Sequence, residues 1–310
     1  MLEAADCTNA TVRPEHGMKV TTRDPTKGVL DFPAALDRFV LNRLAPAHDL
    51  ECWIDSYWVV TWDLPPGQSH RQTNVSHASM NVALEPEGAF LYGVPNRVFV
   101  RELTGSGWVF GIKFRPGGFY PFLGVSLKAF AGKRAALHGI YGQRANRWTS
   151  EMREAPSDLT RAGITDAFWR SLREEPRASM DDGRRDGSPR GGPTEATIAA
   201  ERIISDRSLL TVADAARSLG MDVRGLQRLF RREVGISPKE LILRFRLQEA
   251  AERLLRQPDL RSSELALDLG YYDQAHFIRD FRSVTGVSPE VYQQRQARKA
   301  GCRPGKHVKV

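Results

Sequence analysis

The chain has 310 residues, 41% of them hydrophobic, enough for two domains with packed cores. Its formal net charge of +8 suits an anionic partner without requiring one. Cys7, Cys52 and Cys302 stand far apart and form no CxxC, which argues against a disulfide framework or a clustered zinc site and for a reducing, cytoplasmic home; no apolar run approaches the length of a membrane span.

The first 17 residues are polar and lack the apolar stretch of a signal peptide. Residues 1–27 are expected to be disordered, with Met18 as an alternative start. A β-rich domain is expected over 28–173. All six tryptophans fall before residue 170, and 52–115 is rich in aromatic and β-branched residues. That stretch breaks into WIDSYWVVTWDL, SHASMNVALE, AFLYGV, RVFVREL and WVFGIKF. Pro65-Pro66-Gly67, Pro86-Glu87-Gly88, Pro95-Asn96, Gly105-Ser106-Gly107 and Pro116-Gly117-Gly118 supply the turns between and after them. The pattern predicts an antiparallel sandwich or small barrel, flanked by helices near 33–44 and 158–173. The predicted fold class is therefore α+β in two domains, the second all-helical.

Residues 174–193, EEPRASMDDGRRDGSPRGGP, hold almost no large apolar side chain and read as a flexible linker. A helical domain follows over 194–295, and it repeats itself. LTVADAARSLGMDVRGLQRLFRREVGISPKE begins at Leu210 and LRSSELALDLGYYDQAHFIRDFRSVTGVSPEV at Leu260. In each copy a polar residue, Thr211 or Ser262/Ser263, caps a short helix that Gly220 or Gly270 ends. Asp222 or Asp273 caps a second helix, and Gly235 or Gly286 ends it. Ser237-Pro238 and Ser288-Pro289 then start a third. Short helix, tight turn and second helix make a helix-turn-helix, present twice. The second copy carries one extra residue in its turn. PKELILRFRLQEAAERLL between the copies reads as one long helix, apolar at Leu241, Phe245, Leu247, Leu254 and Leu255.

Helical spacing divides each second helix into two faces. Val223, Leu226 and Phe230 are expected to pack inward in the first, and Phe277, Ile278 and Phe281 in the second. Arg224, Arg228, Arg231 and Arg232 face out in the first copy, with Gln227 at the edge and Gly225 allowing close approach. Ala275, His276, Arg279 and Ser283 face out in the second, with Gln274 in the first turn. An arginine-rich outer face is ordinarily just solvated. Two tandem copies with matching punctuation favour a functional face instead, because Arg and Gln read guanine and adenine edges in pairs of hydrogen bonds. The tail over 296–310 continues the basic run begun at Arg295, with no acidic residue from there to the end. It reads either as a solvated end or as a phosphate-binding arm.

Other chemistries lack their residues. His70 and His77 do not form the HxH-and-Glu set of a metal-binding cupin. No GxSxG elbow occurs, and GSGWVFG precedes a predicted strand rather than a helix, so it is no phosphate loop. Neither Cys7 nor Cys52 sits in a cysteine-rich metal motif. The aromatic cluster of Trp53, Tyr57, Trp58 and Trp62 reads as core. No cofactor and no metal is expected.

Residues 196–295 resemble the DNA-binding domain of the AraC/XylS family of transcription regulators. The motifs that carry the resemblance are LTVADAARSLGMDVRGLQRLFRREVGISP, RFRLQEAAERLL and LGYYDQAHFIRDFRSVTGVSPEVY. It implies sequence-specific binding of double-stranded DNA, with the second helix of each unit in the major groove. The base-contacting positions of the family fall here on Arg224, Gln227 and Arg228, with Arg231 beside them, and on Gln274, Ala275, His276 and Arg279. SYWVVTWDL, FLYGVPNRVFVREL and GWVFGIKFRPGGFYPFLGV are similar to sensor-like domains of part of that family. They imply a regulatory half that binds a small-molecule effector or a second copy in a homodimer, with RNA polymerase as a partner if the protein is an activator. The alternative is an enzymatic or binding β-domain tethered to DNA by the helical module.

Overall fold

The computed structural model describes residues 38–74, 77–96, 98–174, 192–257 and 259–300. The expected disordered start, most of the expected linker and the end of the basic tail lie outside them. Among the described residues the N-terminal half holds eight strands: β1 (Val40–Leu44), β2 (Ile54–Asp63), β3 (Ser69–Asn74), β4 (Asn81–Glu85), β5 (Gly88–Tyr92), β6 (Phe99–Thr104), β7 (Ser106–Phe114) and β8 (Arg134–Ala136). Six pair antiparallel in the order β1-β2-β7-β4-β5-β8, and β3 pairs with β6 in a separate ribbon. The antiparallel β-rich expectation holds, as one broad sheet and a ribbon rather than two balanced sheets.

Two readings of the sequence need correction. The segment expected to be helical near 33–44 is strand β1 over its described end, where Val40 pairs with Thr61 and Leu44 with Tyr57. Its exposure alternates along VLNRL, which is the period of a strand. SHRQTN had no apolar run to mark it, yet it forms β3, whose partner β6 is itself largely exposed.

Helices α1 (Tyr120–Leu123), α2 (Leu137–Tyr141), α3 (Gln143–Glu154) and α4 (Asp158–Glu174) pack with the sheet. Only α4 was expected. Trp169 on α4 meets Phe114 of β7 and Phe122 of α1 edge to face, both at 5.0 Å between ring centroids. Trp148 on α3 donates its indole N–H to Thr165 of α4 at 3.3 Å.

The described residues of the C-terminal half form helices: α5 (Glu195–Ser205), α6 (Val212–Ser218), α7 (Val223–Glu233), α8 (Pro238–Arg256), α9 (Ser262–Asp268), α10 (Gln274–Thr285) and α11 (Pro289–Ala300). Helices α6–α7 and α9–α10 are the two helix-turn-helix units, and α8 joins them. The punctuation read from the sequence is largely present. Thr211 and Ser237 form reciprocal capping boxes with Asp214 and Glu240. Gly220 and Gly270 end α6 and α9 at φ 65° and 73°. The cap of α9 differs: Arg261 holds that position, while the Ser262 hydroxyl lies within the helix and donates to Glu290 on α11 at 2.6 Å. Leu255, expected inside on α8, is exposed.

The hydrophobic core does not divide between the β-rich and helical halves. One continuous cluster runs from Tyr57 and Phe114 through Leu127 to Ala199, Phe230 and Leu241. A second begins at Leu247 on the same α8 and gathers α9, α10 and α11. The first helix-turn-helix unit therefore belongs to the N-terminal body, and the second has its own core. The seam crosses α8, where Arg244 donates to the His77 carbonyl at 3.4 Å and the Gln248 amide lies 3.2 Å from His77 Nδ1.

Candidate nucleic-acid interface

The reading faces are built from their caps upward. Asp222 starts α7 by accepting the Gly225 N–H at 2.8 Å, and Asp273 starts α10 by accepting the His276 N–H at 2.7 Å. Leu226 and Phe230 then anchor α7, and Phe277 and Phe281 anchor α10, all fully buried. With those sides fixed, Arg224, Gln227, Arg228 and Arg231 are exposed on α7. Gln274, Ala275, His276 and Arg279 are exposed on α10. All eight expected contact residues thus reach solvent, four on each second helix, and Ala275 among them offers only a methyl group.

Three neighbours differ from expectation. Val223 is exposed rather than inward; it is the first residue of α7, before the helix closes on its core. Arg232 is half-buried. It pairs with the buried Glu233 at 2.8 Å and lies over the Tyr120 ring at 5.8 Å, so it belongs to the join with the N-terminal body. A side chain at Gly225 would meet the Asp222 carboxylate at 2.9 Å, so this glycine makes room for the cap.

The second face carries its own electrostatics. His276 Nε2 lies 3.3 Å from the Asp280 carboxylate, and its ring meets Tyr271 edge-on at 5.3 Å. The Tyr271 hydroxyl donates to Asp280 at 3.3 Å. Burial, and then the Asp280 charge, hold that phenol well above the ordinary tyrosine range, so it stays a neutral donor. His276 is thereby oriented by Tyr271 and Asp280 from behind.

The extra turn residue can now be located. Met221 donates its N–H to the Ala216 carbonyl and Tyr271 donates to Ala266, both at 2.9 Å. These are equivalent bonds, so Tyr272 is the insertion. It is 96% exposed, immediately before the α10 cap. Sequence reasoning counted the insertion but did not single out Tyr272; its side chain and the exposed Arg282 extend the polar rim of the second face.

Comparison with known proteins agrees with this geometry. A family model described as a helix-turn-helix domain matches residues 215–295, and its span takes in most of α6 and all of α7 to α10. The C-terminal half is an AraC-type helix-turn-helix domain. The chain is 34% identical over 108 residues to the transcriptional activator NphR of Rhodococcus sp, covering 34% of this chain and 32% of that protein. It is 34% identical over 84 residues to the HTH-type transcriptional activator AarP of Providencia stuartii, covering 27% of this chain and 62% of that one. A solved structure of a probable AraC family transcriptional regulator from Rhodopseudomonas palustris is 30% identical, covering 32% of this chain and 93% of that one, with a TM-score of 0.29. The matches to the two activators thus span under two thirds of either protein. A second family model, described as a domain of unknown function (DUF6597), matches residues 42–136, which lie in the β-rich half ahead of the AraC-type domain.

Among the described residues no helix is long and apolar enough to cross a membrane. Among them no group of three or more His, Cys, Asp or Glu is placed to hold a metal ion. His70 lies 3.1 Å from Gln72, and His77 faces Gln248 of α8.

Proposed function

We propose that this protein is a cytoplasmic, sequence-specific transcription regulator of the AraC/XylS type. It binds double-stranded DNA by placing α7 and α10 in successive major-groove segments. The observation that carries this reading is the pair of repeated helices, each buried through two large apolar side chains and exposed along Arg224, Gln227, Arg228 and Arg231 or Gln274, Ala275, His276 and Arg279. Arginine and glutamine in those positions present paired donors and acceptors to base edges, and His276 presents one nitrogen from an oriented ring. The β-rich half acts as the regulatory domain, through a small effector or by holding two copies together. RNA polymerase is a further partner if the protein activates. The relatives' printed roles as transcriptional activators and regulators support a regulatory rather than catalytic role for the whole.

The test is selection of bound duplexes from a random pool by the full chain, followed by single variants on the selected site. Arg228→Ala and Arg279→Ala should each cost about 1–3 kcal/mol and relax preference at one local position. The two positions should lie roughly 34 Å apart along the duplex, about one helical turn. Equal weakening on every sequence would make these phosphate contacts and overturn their assignment as base readers.

A further inference from the structure

Between Glu102 and Glu151 the sequence contains no acidic residue, yet it contains seven basic ones. The rest of residues 1–193 carries more acids than bases, so the N-terminal half concentrates its positive charge in one stretch. Several of those charges are already used. Lys113 pairs with Asp55 at 3.3 Å and Arg115 with Glu201 at 2.8 Å. Arg134 pairs with Glu85 at 3.2 Å and stacks on Phe90 at 3.4 Å. Lys128 and Lys133 are different: both are exposed, and among the described residues neither makes an ion pair.

Their position is the second observation. Lys128 lies in the 3-10 turn Leu127–Phe130, and the Lys133 N–H donates to the Phe130 carbonyl at 2.9 Å as the chain leaves that turn. The turn is seated on α7. Leu127 is buried in the shared core, and the Ser126 hydroxyl lies 3.5 Å from the Arg231 carbonyl it donates to. A side chain added at Gly235 would come within 3.1 Å of the Leu127 carbonyl. Arg231 is on the reading face, so the turn stands at the end of the surface that faces DNA.

We propose that the N-terminal domain itself binds DNA phosphates beside the first reading helix, through Lys128 and Lys133. This rests on the DNA-binding reading of α7. A lysine ammonium is a mobile point charge that suits phosphate oxygens rather than base edges, so the contribution is affinity without sequence preference. It makes the regulatory body part of the DNA-binding surface, with its footprint extending past the segment read by α7.

The experiment measures affinity against salt for the full chain and for the double variant Lys128→Gln/Lys133→Gln, on the selected duplex and on random duplex. Losing two phosphate contacts should lower the slope of log affinity against log salt by roughly 0.9 per contact. Wild type should therefore lose about ten-fold more affinity than the variant between 50 and 200 mM salt. The preference for the selected duplex should be unchanged, and Lys128→Arg/Lys133→Arg should restore the wild-type slope. Hydroxyl-radical footprinting should show protected sugars beyond the α7 segment that the Gln variant loses. Wild-type binding with an unchanged slope in the Gln variant would overturn the phosphate contact and leave the regulator reading intact. Failure of the wild type to bind any duplex at low salt would overturn both.

Discussion

Gly117 shows how closely the two halves meet. Its φ is +83°, and a side chain there would lie 3.0 Å from the Thr197 backbone nitrogen at the start of α5. Gly117→Ala combines left-handed backbone with a clash against main chain, and should destabilise by about 1–3 kcal/mol in urea melts. A loss below a few tenths would mean that the turn and α5 can part. Asp166 gives a test of a different kind. It is buried, accepting the Tyr57 hydroxyl at 2.7 Å and the Ala47 N–H at 3.1 Å. Burial nonetheless raises its carboxyl above the ordinary value, outweighing those hydrogen bonds. The protonated acid therefore favours the fold, and that contribution is lost as pH rises through the raised folded value. Asp166→Asn keeps an acceptor without the charge. It should gain stability relative to wild type as pH rises above the ordinary carboxylate value, read as the difference in urea midpoints. A difference independent of pH would show that Asp166 ionises without penalty.

At the scale of elements, the helices of the C-terminal half were legible because their punctuation is chemical. Thr211, Asp222, Ser237 and Asp273 each accept a backbone N–H in the first turn of the helix they precede. Asp273→Ala should cost about 1 kcal/mol by thermal melts and weaken DNA binding through the disordered start of α10, while Asp273→Asn should preserve both. Equal loss in the two variants would show that the charge rather than the cap matters. The β-rich half was legible only where strands are apolar. β3 is built from polar residues, SHRQTN, one of which, Gln72, is buried, and no apolar periodicity announces it. α3 could have been found, since Ala145, Trp148 and Met152 repeat at helical spacing and are its buried residues. Gly139 and Gly142, just ahead of it, obscured its start. That the eight residues of the candidate face reach solvent was legible because the repeat placed them on the outer sides of α7 and α10. The bracing of His276 by Tyr271 and Asp280 was not, because it depends on how the Tyr271 ring folds back over the helix start.

The whole molecule departs from the sequence's apparent plan. Composition changes sharply at 174–193, and a regulator of two tethered modules follows naturally from that. The packing puts the first helix-turn-helix unit in the core of the β-rich half instead. A fragment of residues 194–310 should therefore keep its second unit intact and loosen its first. Hydrogen exchange should find amides of α5, α6 and α7 far less protected in the fragment than in the full chain, with α9 and α10 little changed. Equal protection in both would show that the first unit folds without its neighbour.

The seam within α8 also bears on how such chains could be recombined. A graft cut around residue 190 would carry α5 to α7 away from Leu127, Tyr120 and Gly117, and each donor would need a matching surface on its new host. A graft cut between Arg244 and Leu247 would instead carry α9, α10 and α11 with the cluster that holds them. Half of the recognised sequence could then be exchanged while the other half stays under its original control. The natural unit of exchange in this architecture is one helix-turn-helix, not the pair.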